Sequence, residues 1–230
     1  MGKGWYPKKH HLGDQMAKLF CSIGTGPGIG LQTALRFAKE GFVPLLAARS
    51  SEKLAALAQI IRERTSVEAQ TYVLDAKDNA KICALLKTHR ADLEVLHYNA
   101  ASLRPQYIHE ATPESIANDI QVDLTGAVVA INAILPFMQK RRSGTILLTG
   151  GGFALAPSSQ FLTLSLGKAG LRALSAALFA DLAKDNVHIA SVTVKKAVEA
   201  SANDPEQIAE IFFKLYKQPR SAWTYEEFYG

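Results

Sequence analysis

The chain contains few of the residues from which disulfide-rich or metal-binding proteins are built. Its 230 residues include only two cysteines, Cys21 and Cys83, and both lie inside apolar segments without metal-ligand spacing. This pattern favours reduced, buried thiols in a cytoplasmic protein and predicts no metal site. No uninterrupted apolar run approaches the ~18 residues of a membrane-spanning helix. We therefore expect neither a disulfide scaffold nor a membrane partner.

Positive charge is in excess mainly at the start of the chain. The net charge is +5, and residues 1–18 contribute +3 of it through four lysines and one aspartate. Residues 1–15 are polar and basic and lack the apolar segment of a secretory signal, so we predict a flexible basic tail before a single domain over 16–230. The remainder has no basic helix face interleaved with aromatic side chains, so a nucleic-acid partner is not expected.

Strand-like and helix-like segments alternate along the rest of the chain. Apolar runs predict strands over 18–23, 42–48, 69–74, 93–99, 145–149, 187–194 and 223–229. Helical spacing predicts helices after Gly30 and over 51–65, 79–89, 113–142, 159–185 and 205–217. Such alternation predicts an α/β fold, in which a parallel sheet carries helices on both faces.

The most informative stretch is Gly24–Gly30, between the first predicted strand and the first predicted helix. Glycines let backbone N–H groups approach a pyrophosphate, and a helix start adds partial positive charge. The spacing differs from the common G-x-G-x-x-G pattern, because Ile29 stands where that pattern, begun at Gly24, has its last glycine. On this motif alone, a tight turn without a ligand stays open as the alternative.

The end of the second strand indicates which dinucleotide is bound. An acidic residue at this place would hold the ribose 2′-hydroxyl of NAD, but the chain has Arg49 followed by Ser50. Arginine can bind a 2′-phosphate through charge-assisted hydrogen bonds, so we predict NADP(H) as the cofactor. The alternative is a solvated surface arginine.

Taken together and in this order, the motifs resemble those of the short-chain dehydrogenase/reductase family, from Lys18 to the C-terminus. The resemblance implies a doubly wound, Rossmann-type sheet. It matches Asp75 to the aspartate at the adenine edge, and Asn99-Ala100 to part of the family's Asn-Asn-Ala-Gly motif. Carried over position by position, the implied cofactor-binding residues are Gly24, Gly28, Ile29, Gly30, Arg49, Ser50, Asp75, Ala76, Asn99, Ala100 and Lys168.

The catalytic positions depart from the family's pattern. The position of the family's tyrosine, four residues before the active-site lysine Lys168, holds Leu164, which has no proton to give. Gly151 stands at the position of the serine, and Asp123 at that of the helix asparagine. We predict that Lys168 and Asp123 form the remaining catalytic pair, in which Asp123 keeps Lys168 charged. The alternatives are a helix-surface lysine and a solvent-facing aspartate. Ser165, about 100° round the helix from Leu164, is expected to point away from the lysine.

Three functions are open on this basis. The first is an atypical NADP(H)-dependent oxidoreductase that transfers hydride to or from a small carbonyl or alcohol with a non-standard proton donor. The second is a catalytically inactive NADP-binding sensor or partner protein, and the third is a protein whose dinucleotide site is unused. The residues after Val194 lack the family's Pro-Gly turn and lid, which predicts an open or small pocket.

The two long predicted helices suggest that the protein assembles with further copies of itself. In the family the corresponding helices pack against a second subunit, and here they are rich in apolar residues, which suggests a buried surface beyond one core-facing stripe. We therefore expect a homodimer or homotetramer. The apolar residues concerned are Val128, Ile131, Ile134, Leu171, Leu174 and Leu178.

Overall fold

Seven strands form one fully parallel sheet, in the order β3-β2-β1-β4-β5-β6-β7. The computed structural model describes residues 18–230, so the predicted basic tail over 1–15 lies outside the described residues. The central strands are buried along their whole length, as expected where helices cover both faces of a parallel sheet. The strands are β1 (Leu19–Ile23), β2 (Val43–Ala48), β3 (Gln70–Val73), β4 (Leu93–Tyr98), β5 (Gly144–Gly151), β6 (Val187–Val194) and β7 (Glu226–Tyr229).

Helices cover both faces of this sheet and create two hydrophobic cores. Helices α1, α2 and α7 pack on one face around Phe20, Phe37 and Phe212, whereas α3, α5 and α6 pack on the other around Ile82, Ile134 and Leu171. This is the doubly wound α/β fold that the alternation of segments predicted. The helices are α1 (Ile29–Ala38), α2 (Ser51–Thr65), α3 (Asn79–Thr88), α4 (Pro113–Ile120), α5 (Gly126–Arg141), α6 (Leu162–Lys184) and α7 (Asp204–Lys217).

The sequence predicted the bounds of α2 correctly, whereas α6 and β7 each begin three residues later than predicted. The predicted bounds of α2 are observed, because the Ser50 side chain accepts the Lys53 N–H at 3.2 Å and caps the first turn. The helix predicted from residue 159 begins at Leu162, after an irregular segment. The last strand, predicted from residue 223, begins at Glu226, because a short 3₁₀ turn over 220–222 precedes it.

The long helix predicted over 113–142 is continuous to Arg141 but not regular. Between α4 and α5 lies one π-helical turn, Gln121–Thr125, and the Tyr98 hydroxyl donates a 2.6 Å hydrogen bond to the Val122 carbonyl inside it. The length and composition of this helix would also suit a membrane span. Ala127, Ile134 and other α5 side chains are buried against the sheet, so part of this apolar character belongs to the packing of the core.

Three of the six apolar residues expected to form a subunit contact are buried in the core of this chain. Ile131, Ile134 and Leu171 belong to the buried core, and Leu174 and Leu178 pack partly buried against it. Val128 alone of the six is exposed, at 42 % of its surface. The buried positions of Ile131, Ile134 and Leu171 do not support a second buried surface, whereas Val128, Leu174 and Leu178 keep exposed area, and assembly into a homodimer or homotetramer stays a prediction.

Candidate active site

The strand order reverses between β1 and β4, and this reversal locates a crevice at the carboxyl edge of the sheet. The two strands are neighbours although 69 residues separate the end of β1 at Ile23 from the start of β4 at Leu93, and their following segments depart to opposite faces. Asn99 closes the junction, since its backbone N–H donates to the Ile23 carbonyl and its side-chain amide donates to the Gly24 carbonyl, each at 2.8 Å. Ligands of doubly wound sheets bind in such crevices.

The glycine turn after β1 is shaped for close approach by a phosphate. Gly24 has φ +86°, and a Cβ there would collide with the backbone of Ala100. Gly28 precedes α1 without a side-chain cap, and the first turn of that helix carries no acidic residue. A Cβ at Gly26 would meet no atom within 4 Å, so the space before the helix start is open. An open, uncapped helix N-terminus of this kind fits the pyrophosphate of a dinucleotide.

The predicted cofactor residues beyond β2 and β3 lie along the same edge of the sheet. Arg49 is exposed, directly after β2. The Ser50 hydroxyl caps α2, and Asp75 accepts the Lys77 N–H at 3.0 Å. Ala76 is buried among the core residues. Arg49 is therefore the side chain of this group that is both charged and free to reach a ligand.

Lys168, on α6, is buried and its side chain reaches β5, so it is not a helix-surface lysine. Only 7 % of its surface is exposed, and its Nζ donates a 2.7 Å hydrogen bond to the Thr149 carbonyl. Asp123 is fully buried in the π-helical turn, so the solvent-facing alternative is also wrong. Its Oδ1 accepts the Ser102 N–H at 2.5 Å, whereas Oδ2 has no hydrogen-bond partner among the described residues. A side chain at Gly167 would collide with the Asp123 Cβ, so the glycine lets α6 approach the π turn closely.

Burial shifts both groups of this pair toward their neutral forms. It raises the pKa of Asp123 to about 6 and lowers the pKa of Lys168 to about 8, and the opposite charge of each partner works against these shifts. The two groups are not in direct ion-pair contact among residues 18–230. Asp123 therefore favours the charged lysine by electrostatic attraction at a distance, and both groups titrate near neutral pH.

Two positions close to Lys168, Leu164 and Gly151, contribute no hydroxyl group. Leu164, one helical turn before Lys168 on α6, is buried and apolar. A Cβ at Gly151 would lie 3.2 Å from the Lys168 Cγ, so the lysine stem occupies the space beside the strand end. The Ser165 hydroxyl donates to the Phe161 carbonyl at 2.8 Å and accepts the Ser158 N–H at 3.1 Å. The Ser165 hydroxyl is thus engaged by two backbone groups at the start of α6.

A second group of polar side chains, which sequence reasoning missed, surrounds Asp119. Its carboxylate accepts hydrogen bonds from the Ser102 hydroxyl at 2.6 Å, Arg104 at 2.8 Å and the Thr163 hydroxyl at 2.9 Å. Burial opposes ionisation, but these hydrogen bonds outweigh it and hold the pKa of Asp119 below its usual value. Ser102 contacts both Asp119 and Asp123, so it fixes the loop after β4 against the long helix. The four-residue spacing of the two aspartates on one helix was the available signal.

Comparison with known proteins gives the family. The short chain dehydrogenase family pattern matches residues 18–204. A 3-dehydrosphinganine reductase of Arabidopsis thaliana is 30% identical over 169 residues, which are 72% of this chain and 51% of that protein. The chain spans about half the length of the curated relatives it matches.

Solved structures agree on the fold. A short-chain dehydrogenase from Rhodopseudomonas palustris superposes with a TM-score of 0.82 at 28% identity, covering 93% of this chain and 98% of the other. A metagenomic short-chain oxidoreductase in complex with NADP gives a TM-score of 0.83 at 23% identity, covering 92% and 96%. With the crevice, the glycine turn and the buried lysine in their places, the chain belongs to the short-chain dehydrogenase family.

Proposed function

We propose that this protein is an NADP(H)-dependent oxidoreductase that interconverts a carbonyl compound and its alcohol, with Lys168 as the proton donor. The observation that carries the proposal is the buried Lys168 amine. It lies at the carboxyl edge of the sheet, its pKa is lowered to about 8, and an acidic partner lies nearby. A general acid is most effective when its pKa lies near the working pH.

The chain's own residues fit a dinucleotide in the crevice. The backbone of the Gly24–Gly30 turn would hold the pyrophosphate, and the exposed Arg49 would hold a 2′-phosphate. Lys168 and Asn99 border the same crevice. When bound, NADPH would supply a hydride to the carbonyl carbon of a substrate.

In the reductive direction Lys168 donates its proton to the carbonyl oxygen as negative charge develops there. The ammonium form stabilises this oxyanion before the transfer as well as protonating it. Asp123 supports the ammonium form, since a nearby negative charge raises the pKa of the lysine. Leu164 adds no proton of its own and keeps the site apolar.

Substrates with an apolar chain beside a carbonyl group are the class we propose to test first. The loop after β4 exposes Leu103 and Ile108, at 76 % and 60 % of their surfaces, beside the Arg104–Asp119 contact. The loop is joined to the start of α6 by the Gln106 N–H, which donates to the Gln160 carbonyl at 2.7 Å. The Arabidopsis relative is named as a 3-dehydrosphinganine reductase, so 3-oxo compounds belong in the panel.

A catalytically inactive NADP-binding protein is the second candidate. It is favoured by the buried Leu164 and by Gly151, which leave no hydroxyl on either side of Lys168 at these two positions. Such a protein would bind NADPH with the same Arg49 preference but would not consume it.

Two measurements separate these functions. We expect NADPH fluorescence titration to show binding, and we expect NADPH consumption with one or more carbonyl compounds of the panel. Lys168→Met should reduce that consumption by ~10²-fold or more, because it removes the acid. Lys87→Met, at an exposed lysine of α3, is the matched control and should leave it unchanged. Binding without consumption would support the inactive protein, and no binding would show that the dinucleotide site is unused.

A further inference from the structure

A chain of buried polar side chains crosses three central strands and is not required by the reaction as proposed. It comprises Ser22 on β1, His97 on β4, Thr149 on β5 and Asn99 just after β4. His97 is fully buried, with its ring centroid 5.7 Å from that of Phe20 and 4.7 Å from that of Phe212. A polar ring in such a place is costly unless both nitrogens are hydrogen-bonded, and here both are.

The hydrogen bonds of this chain have one consistent direction. The Thr149 hydroxyl donates its only proton to the Asn99 Oδ1 at 2.9 Å, so it must accept at its 3.0 Å contact with the His97 Nε2. The Nε2 therefore carries the proton, and Nδ1 accepts from the Ser22 hydroxyl at 3.2 Å. Burial is the main reason why the pKa of His97 is lowered to about 3, so the ring stays neutral at physiological pH.

The hydrogen-bonded chain runs from Ser22 through His97 and Thr149 to Asn99, and both of its ends contact the glycine turn. At one end the Asn99 amide donates to the Gly24 carbonyl at 2.8 Å. At the other end the Ser22 carbonyl accepts a 2.7 Å hydrogen bond from the Thr25 hydroxyl. Between the ends, Thr149 uses its hydroxyl for the chain and its carbonyl for the Lys168 Nζ. A displacement of Thr149 would therefore move the acceptor of the lysine and the support of the turn together.

We infer that His97 is a positioning residue that couples the glycine turn, which it reaches through Ser22, to Lys168, which it reaches through Thr149. The inference rests on the proposed function, in which the turn binds NADPH and Lys168 gives the proton. The neutral ring acts as a fixed spacer between strands, a donor on one side and an acceptor on the other. Occupation of the turn and the position of the lysine amine then depend on each other, as two sites joined by one ordered element do.

The test breaks the hydrogen-bonded chain Ser22–His97–Thr149–Asn99, called the relay below, in two independent ways. His97→Leu removes the ring, and Thr149→Val removes the relay hydroxyl but keeps the backbone carbonyl that Lys168 uses. His97→Gln restores a donor and an acceptor and is the conservative rescue. His188→Gln is the matched control, since His188 is also buried but lies near the amino end of β6, where its Nε2 donates to the Thr224 carbonyl at 2.9 Å.

The first readout is the pKa of Lys168 in the cofactor-free protein, followed by NMR of carbon-13-labelled lysine and assigned with Lys168→Arg. We expect this pKa to fall in His97→Leu and in Thr149→Val, because a displaced carbonyl stabilises the ammonium less. It should stay near the parental value in His97→Gln and in His188→Gln. If His97→Leu does not fold, the lysine pKa in the nearly isosteric Thr149→Val variant decides whether the relay positions Lys168.

The second readout is the Kd for NADPH, which we expect to rise roughly 5- to 50-fold in the two relay variants, within the usual range of coupling between sites. An unchanged lysine pKa and an unchanged Kd in folded Thr149→Val would overturn the coupling and leave the relay as a structural element. Failure of the parent protein to bind NADPH would count against the proposed function alone. The lysine titration would still show whether the relay positions the Lys168 amine.

Discussion

The two sides of the crevice differ in how completely their buried polar groups are satisfied. On the glycine-turn side, the side chains of Ser22, His97 and Asn99 all have hydrogen-bond partners. On the lysine side, Asp123 keeps one buried oxygen without a partner among the described residues, and Lys168 has a single acceptor. Satisfied networks hold a fixed geometry, whereas unsatisfied charges have shifted pKa values that are available for chemistry. The difference indicates a rigid binding side facing a reactive, titratable side.

The largest expected effect comes from introducing a phenol on the lysine side. Leu164→Tyr would place a hydroxyl one helical turn from Lys168, and Gly151→Ser would add a second hydroxyl at the strand end. The serine Cβ would lie 3.2 Å from the Lys168 Cγ, which a flexible lysine stem can accommodate by a small shift. We expect the double variant to reduce carbonyl compounds ~10²–10⁴-fold faster than the parent, the usual contribution of a general acid.

Steady-state NADPH consumption checks this expectation. Adding Lys168→Met to the double variant should abolish the gain, since the lysine lowers the pKa of the phenol. Ser165→Ala in the parent is the control and should have little effect, because that hydroxyl is bonded to Phe161 and Ser158. A parent protein that already reduces simple ketones briskly would contradict the expectation that Lys168 alone is a slower proton donor than a phenol beside a lysine.

A change at Arg49 tests the binding side of the comparison. Arg49→Ala should weaken NADPH binding by about one to two decades and leave NADH binding nearly unchanged, because a charge-assisted contact to phosphate contributes ~1.5–3 kcal/mol. Fluorescence titration with both cofactors measures this, and Arg64→Ala at the exposed end of α2 is the matched control. Equal losses for the two cofactors would show that Arg49 does not select between them.

Asp123→Asn tests the electrostatics of the lysine side. In the parent, reduction should decline as pH rises through about 8, where Lys168 loses its proton. The aspartate raises the pKa of this lysine, so its removal should shift that alkaline limb to lower pH while the maximal rate at low pH is retained. The pH profile of kcat/KM gives the shift. An alkaline limb at the parental pH would mean that the charge of Asp123 does not affect the pKa of Lys168.

The smallest expected effect is on stability, where His97 and Asp123 oppose each other. The folded-state pKa of His97 is about 3 against 6.5 when unfolded, so acidification from 6.5 protonates only the unfolded state and reduces stability. The folded-state pKa of Asp123 is about 6 against 3.8, so between these values only the folded state holds that proton and acidification adds stability. Each group changes the free energy of unfolding by up to about 1.4 kcal/mol per pH unit, and the two changes have opposite signs between about pH 4 and 6.

Chemical denaturation at a series of pH values separates the two contributions. Relative to the parent, His97→Gln should gain stability as the pH falls from 6 to 4, whereas Asp123→Asn should lose it. Comparing each variant with the parent at the same pH cancels the remaining titratable groups. Parallel stability curves for the parent and both variants would contradict the assigned pKa shifts.

Sequence patterns could predict the frame of the site but not its internal contacts. The strand at 187–194 and the helix at 51–65 follow from apolar periodicity and a serine cap, which are local signals. The burial of Lys168 and Asp123 depends on a glycine of α6 lying against the π turn, a contact between residues far apart in sequence. Likewise, His97 gives no local sign of a partner on β1 or β5, since the strand order that joins them is set by the whole sheet.

The π-helical turn at Gln121–Thr125 adds one residue to a turn of the long helix and so rotates the parts before and after it relative to each other. A turn closed from i to i+5 holds one residue more than an α-helical turn, so residues before it are rotated by about 100° relative to those after it. The Tyr98 hydroxyl fills the space that a side chain at Gly126 would need, and thereby holds this offset in place. A deletion of one residue within 121–125 would bring α4 back into register with α5 and turn Asp119 away from Ser102, so the loop after β4 would lose its anchor. The spacing of this helix, as much as its composition, is therefore part of the site.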